Sequence, residues 1–176
     1  MSDKHIIDLD SKDIEYLRGM YGNESKALKV MMDELCRRLA YMGKEKARVY
    51  FFEALYDGIN DAEITVERRG NGYAVVANGN SVLFIEFGAG VHYPDSHPEP
   101  HGMAHGTYGK GLGKNDYWYY TGVPGNAGGE LAYGRSNTTK THGNPANMPM
   151  YNTIKDLEGE IERMVKETFD LAWHYD

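Results

Sequence analysis

Nine residues, Val82-Leu83-Phe84-Ile85-Glu86-Phe87-Gly88-Ala89-Gly90, constrain this chain more than any other stretch. They form its most apolar short run, interrupted by one carboxylate and closed by Gly-Ala-Gly. Read as a strand, the run places Val82, Phe84 and Glu86 on one face and Leu83, Ile85 and Phe87 on the other. Such a segment belongs at the centre of a fold. Glu86 then needs an edge position or a partner, for which Arg68, Arg69 and Arg135 are candidates. A single helical turn is the competing reading, because periodicity does not settle short apolar runs.

Regular patterning surrounds this run on one side only. Upstream, Leu28, Met32, Leu35, Leu39, Met42, Val49 and Tyr56 recur at helical steps, which predicts a helix over 24–57. At about 50 Å it is longer than a domain of this size needs for itself. Gly43 is expected to bend or split it. Residues 1–22 read as an N-terminal arm with a short helix entered at Ser11 and ended by Gly19 and Gly22. Ile64 to Glu67, the turn Arg69-Gly70-Asn71-Gly72 and the return Tyr73 to Ala77 predict a hairpin, with Asn-Gly supplying the positive φ. With Val82–Phe87 as a third strand, residues 63–87 form an antiparallel meander.

Downstream, residues 88–150 read as a long loop or arm rich in glycine and tyrosine; the chain holds 21 Gly and 14 Tyr. Loops this long are functional or await a partner. The aromatic run Tyr117-Trp118-Tyr119-Tyr120, a candidate fourth strand, points to a segment that orders against another protein surface. A last helix is predicted over 152–173, with Thr153 and Asp156 as a capping box. No internal repeat is evident. The expectation is one α+β domain over 1–176, with a long N-terminal helix and a C-terminal helix packed on a small antiparallel sheet.

The net charge of −7 and the lack of a basic run argue against groove-type nucleic-acid binding. The single cysteine, Cys36, allows no intrachain disulfide and reads as a small core residue in a reducing compartment. No signal peptide or membrane-spanning run is recognisable.

Four constellations invite chemistry. His97, Glu99, His101 and His105, with His92 and His142 nearby, could hold a metal. However, the i, i+4 spacing of His101 and His105 suits zinc only on a helix, and Pro98, Pro100, Gly102 and Gly106 oppose one. Gly109-Lys110-Gly111-Leu112-Gly113-Lys114 resembles a phosphate loop without the full spacing or the flanking strand and helix. A catalytic Glu86 would need a second acid, base or nucleophile poised nearby, for which His92 is the nearest candidate in sequence. Trp118 and its tyrosines could stack bases, but they are equally what protein interfaces favour, and the acidic charge supports the latter. The reading is therefore no enzyme, no metal and no cofactor. The runner-up is a small metal- or nucleotide-dependent enzyme using the His/Gly-rich loop.

Two separated stretches carry a family resemblance. Phe84-Ile85-Glu86-Phe87-Gly88-Ala89-Gly90 and Gly143-Asn144-Pro145-Ala146-Asn147-Met148-Pro149-Met150-Tyr151-Asn152 together resemble the tailed-phage neck family. These are the head–tail joining, tail-completion or tail-terminator proteins of long non-contractile-tailed phages. The order long helix, hairpin, aromatic-Glu-Phe-Gly stretch, variable loop and C-terminal helix matches as well, over residues 24–172. Ala89 stands where threonine is frequent, and Met148-Pro149-Met150 where Pro-Phe-Leu or Pro-Phe-Met is common. The resemblance implies a non-enzymatic virion protein, assembled in the host cytoplasm. It also implies a homo-oligomeric ring, typically of six, between the connector or stopper and the tail tube, with DNA only passing through the lumen and no membrane partner. Another neck component, a stopper or adaptor, is the alternative within that setting. Glu86, Phe87, Tyr117, Trp118, Tyr119, Tyr120, Met148, Met150 and Tyr151 are the candidate interface residues.

Overall fold

Between residues 11 and 53 the chain has no proline, and its only β-branched residues are Ile14, Val30 and Val49. Little there opposes a helix, and a computed structural model, which describes residues 11–90, 97–98 and 116–173, contains one unbroken helix α1 over Ser11–Glu53. Gly19 and Gly22 do not end it, as the sequence pattern suggested. An interior glycine costs about 1 kcal/mol, too little to stop a helix flanked by leucine, methionine and lysine. At 43 residues α1 is about 65 Å long, whereas a compact domain of this size has a radius of gyration of about 16 Å. The helix therefore overhangs its own domain.

Gly43 does not split α1. It is buried, and a methyl group in its place would lie 3.0 Å from Leu157 and 3.1 Å from Val75. The missing side chain lets α1 touch two other elements at once. One is α3 (Pro149–Trp173), which runs antiparallel to α1: Arg38 reaches Thr168 and Glu167, while Lys46 and Tyr50 reach Asp156. The other is a hairpin of β1 (Glu63–Arg69) and β2 (Gly72–Asn78), paired from Glu63↔Asn78 to Arg69↔Gly72. Its tight turn takes a positive φ at Gly70 (57°) rather than at Asn71, as in a type II′ turn.

The third strand of the expected meander is a helix. Val82–Phe87 forms α2, with Val82, Ile85 and Glu86 buried on one side, the i, i+3, i+4 pattern of a helix rather than alternation. Polar groups on either side decide this. Before it, the Asp61 carboxylate accepts the backbone N–H groups of Asn80 (2.9 Å) and Ser81 (2.8 Å) and the Ser81 hydroxyl (2.6 Å). These bonds hold the carboxyl well below the ordinary aspartate range, the Ser81 hydroxyl contributing most. After it, Gly88 leaves the helix at a φ of 79°. Ala47, Phe51, Ala54, Ile64, Val82 and Ile85 make the core, with Val75, Ala77 and Met150 packed on it.

Part of the expected loop is a second sheet. β3 (Trp118–Thr121), β4 (Glu130–Leu131) and β5 (Thr138–Thr141) pair antiparallel in the order β3-β5-β4. Buried Asp57 fixes it to the end of α1 by accepting from Gly129 N–H (2.9 Å) and the Thr141 hydroxyl (2.7 Å). The chain is thus α+β, with two small antiparallel sheets rather than one among the described residues. Among the described residues, no strand outside each sheet pairs with its edges, and no helix is long and apolar enough to cross a membrane.

Candidate functional site

Glu86 sits at the meeting point of α2 and α3 and is 6% exposed. The first turn of any helix leaves N–H groups without partners. Pro149 has none to satisfy, and its fixed φ suits the first helical position. The next two are accepted by one carboxylate: Met150 N–H donates to Glu86 Oε2 at 2.8 Å and Tyr151 N–H to Oε1 at 3.0 Å. A negative charge at a helix N-terminus is also favoured by the dipole. Glu86 thus caps α3 from another element. Thr153 and Asp156 do not form the expected capping box: Thr153 Oγ1 donates back to Pro149 O at 2.7 Å, and Asp156 serves Lys46 and Tyr50.

His97 completes the junction. Its Nε2 lies 3.2 Å from Glu86 Oε1, and its ring stands 4.6 Å from Phe87 and 5.5 Å from Tyr151 between centroids. None of the anticipated arginines reaches Glu86. Arg68 pairs with Asp33, Arg69 with Glu67, and Arg135 lies over Tyr119. A buried Glu–His pair resembles an acid–base dyad, but each oxygen already holds a backbone N–H. Drawing Glu86 toward a substrate would strand buried donors. The arrangement is that of a clamp. An open pocket of about 410 Å³ adjoins it, with Val75, Leu83, Phe87 and Ile154 beside Glu86 and His97.

The clamp continues into the Gly-Ala-Gly. Ala89 and Asn144 exchange backbone bonds, N–H to O, at 3.0 and 3.1 Å. The end of α2 is satisfied by the same segment: Asn144 Nδ2 donates to Phe84 O, Asn147 N–H to Ile85 O and Met148 N–H to Glu86 O. The approach is so close that a methyl group on Gly143 would fall within 2.7 Å of the Ala89 carbonyl carbon, and one on Gly88 within 2.7 Å of Ala146 N. Asn147 also binds both backbone groups of Leu55, accepting at 2.8 Å and donating at 2.9 Å, and Asn126 reaches Tyr56 N–H and Ala54 O. Two asparagine amides, each donor and acceptor, close the end of α1.

The aromatic run splits by strand alternation. Trp118 turns toward the glycines, its ring within about 3 Å of where side chains on Gly90 and Gly143 would begin. Tyr120 donates its hydroxyl to Val123 O. Tyr117 and Tyr119 meet edge to face at 5.8 Å on the exposed side, where Lys140 lies 4.2 Å over Tyr117 and Arg135 5.2 Å over Tyr119.

The candidate residues therefore occupy two places. Glu86, Phe87, Met150 and Tyr151 converge at the clamp, with Met148 beside it in a left-handed conformation, φ 57°. Glu86 contacts its own chain there, not the surface. Tyr117 and Tyr119 form a separate exposed face, and Trp118 links the two. His92, Glu99, His101, His105 and the Gly109–Lys114 segment lie outside the described residues; among those described, no three metal-ligating side chains cluster. Asp57, Asp61, Asn126, Asn144 and Asn147 escaped the sequence reading. Asn144 and Asn147 lay within a stretch singled out for its resemblance, but nothing local tells a capping asparagine from a turn asparagine. Comparison with protein-family models, with curated proteins and with solved structures finds no match to this chain.

Proposed function

We propose that this chain is a structural protein of a tailed-phage virion, forming a ring at the neck that joins the head-proximal end of the tail to the head. The observation that carries this reading is the clamp. The two stretches that resemble the neck family lie more than fifty positions apart, at 84–90 and 143–152, yet they interlock through Ala89–Asn144, Glu86–Met150 and Glu86–Tyr151. Residues that recur together in a family have a physical reason to do so when each satisfies the other's backbone.

The rest of the molecule fits the same role. A helix that overhangs its domain, sheet edges unpaired among the described residues and an exposed aromatic face with cations over the rings are surfaces suited to neighbours. Closing a ring requires heterologous contacts, two different surfaces on each copy. The pocket beside Phe87 and the Tyr117–Tyr119 face are the two we assign to such contacts, with connector or stopper and tail tube above and below. Net acidity fits a lumen past which DNA slides without adhering. The role needs no catalysis and no cofactor.

Electron microscopy of a lysate from the phage lacking this gene tests the reading. DNA-filled heads beside free tails of abnormal length are expected. Heads that lose their DNA would reassign the chain to a stopper, and normal infectious particles would remove it from the virion.

A further inference from the structure

The face of α1 opposite the core carries Val30, Glu34, Arg37, Tyr41, Glu45, Arg48 and Phe52, at steps of 4, 3, 4, 4, 3 and 4 residues. With 3.6 residues per turn, all seven point within about 40° of Tyr41, whereas buried Leu35, Gly43 and Ala47 point about 120° or more away. An eleven-residue unit thus occurs twice, sharing Tyr41: apolar, Glu, Arg, aromatic. This recurrence on one helix face is a repeat the sequence reading missed. The apolar members stand about 16 Å apart and are open to solvent, Val30 69%, Tyr41 50% and Phe52 87% exposed. Between them Glu34 holds Arg37 at 2.8 Å and Glu45 holds Arg48 at 3.3 Å.

We propose that this face is a self-complementary seam on which a second copy of this chain docks antiparallel, about a twofold axis through Tyr41. In that arrangement residues equally far from Tyr41 face one another. Glu34 meets Arg48 of the second copy, Arg37 meets its Glu45, Tyr41 meets Tyr41, and Val30 meets Phe52. Every charge faces its opposite, and every apolar residue an apolar one. Parallel pairing, in phase or shifted by one unit, sets Glu on Glu and Arg on Arg, which interfaces avoid. An eleven-residue repeat drifts little from a straight helix, so contact persists from Val30 to Phe52. At its C-terminal end the seam borders the start of the hairpin, where Glu45, Arg48 and Phe52 line an open pocket with Asn60, Ala62 and Ile64; Arg48 and Phe52 stay exposed there. One helix face is a small interface of the transient class, so the dimer depends on concentration. This isologous contact is distinct from the heterologous contacts that close a ring, and the inference does not rest on the neck reading.

The test uses the full chain with Cys36→Ser, which removes the single cysteine. Under mild oxidation, Tyr41→Cys is expected to link to itself roughly tenfold or more faster than Phe52→Cys links to itself, because only the first pair is held together on the axis. An equal mixture of Val30→Cys and Phe52→Cys is expected to link about half as fast as Tyr41→Cys, because random pairing makes about half of the dimers mixed. In sedimentation, the reversal Glu34→Arg with Glu45→Arg is expected to abolish the dimer, as is Arg37→Glu with Arg48→Glu, and mixing the two variants is expected to restore it. Equal linking of Tyr41→Cys and Phe52→Cys, or a wild-type chain monomeric at every concentration, would overturn the seam. Because the seam is separate from the heterologous contacts of a ring, either overturning result removes the seam and leaves the neck reading intact.

Discussion

Glu86 is an acid placed where a helix begins rather than where a reaction occurs. Both oxygens hold N–H groups of α3, and His97 stands against one of them. Removing the carboxylate leaves buried donors without partners, a larger loss than the bonds themselves represent. Glu86→Ala is expected to cost about 3 kcal/mol, read as a lower denaturant midpoint with lost amide protection at Met150 and Tyr151. Glu86→Gln keeps one good acceptor and is expected to lose about 1 kcal/mol. Asp61 offers a pH test. Its carboxyl lies below the ordinary value when folded, chiefly because the Ser81 hydroxyl and the Ser81 and Asn80 N–H groups bind the charged form. Its contribution is therefore complete above the unfolded value of about 3.9 and fades as pH falls toward the lower folded value. Asp61→Asn is expected to flatten the decline in stability between about pH 5 and 3. The flattening is partial, because Lys46 holds Asp156 and Arg37 holds Glu34 down in the same way.

Elements show what the sequence made legible. The two long helices and the hairpin were legible because they repeat one pattern over many residues. Val82–Phe87 was not, because its helical state depends on Asp61, twenty positions before Ser81, and on Asn144–Met148 after a long interval. Tertiary capping overrode the strand alternation that the apolar residues also satisfy. Glu86 was correctly singled out as needing a partner, but its partners are backbone groups, which have no sequence signature. Gly43 was misread for a related reason. Local propensity counts the cost of glycine in a helix and is blind to the close approach of Leu157 and Val75 that glycine permits. Gly43→Leu is expected to destabilise the chain by about 1–3 kcal/mol despite better helix propensity, through overpacking. A thermal or denaturant melt decides this, and a neutral or stabilising result would show that α1 and α3 have room between them.

At the scale of the whole molecule, a small core carries a helix much longer than itself. Among the described residues this core lies where α1, α3, the hairpin and α2 meet, and a second sheet is tied to it by Asp57 and by the Ala89–Asn144 bridge. Around that fixed centre much apolar surface stays exposed, including Phe52, Ile59, Val123 and Tyr133. The stretches at 84–90 and 143–152 interlock at that centre, while the long helix and the aromatic face project from it. The neck assignment makes a claim about position that antibody-labelled electron microscopy of particles from the encoding virus tests most directly. The account predicts label at a single point, the junction of head and tail. Label along the tail, over the capsid, or on no particle at all would contradict it.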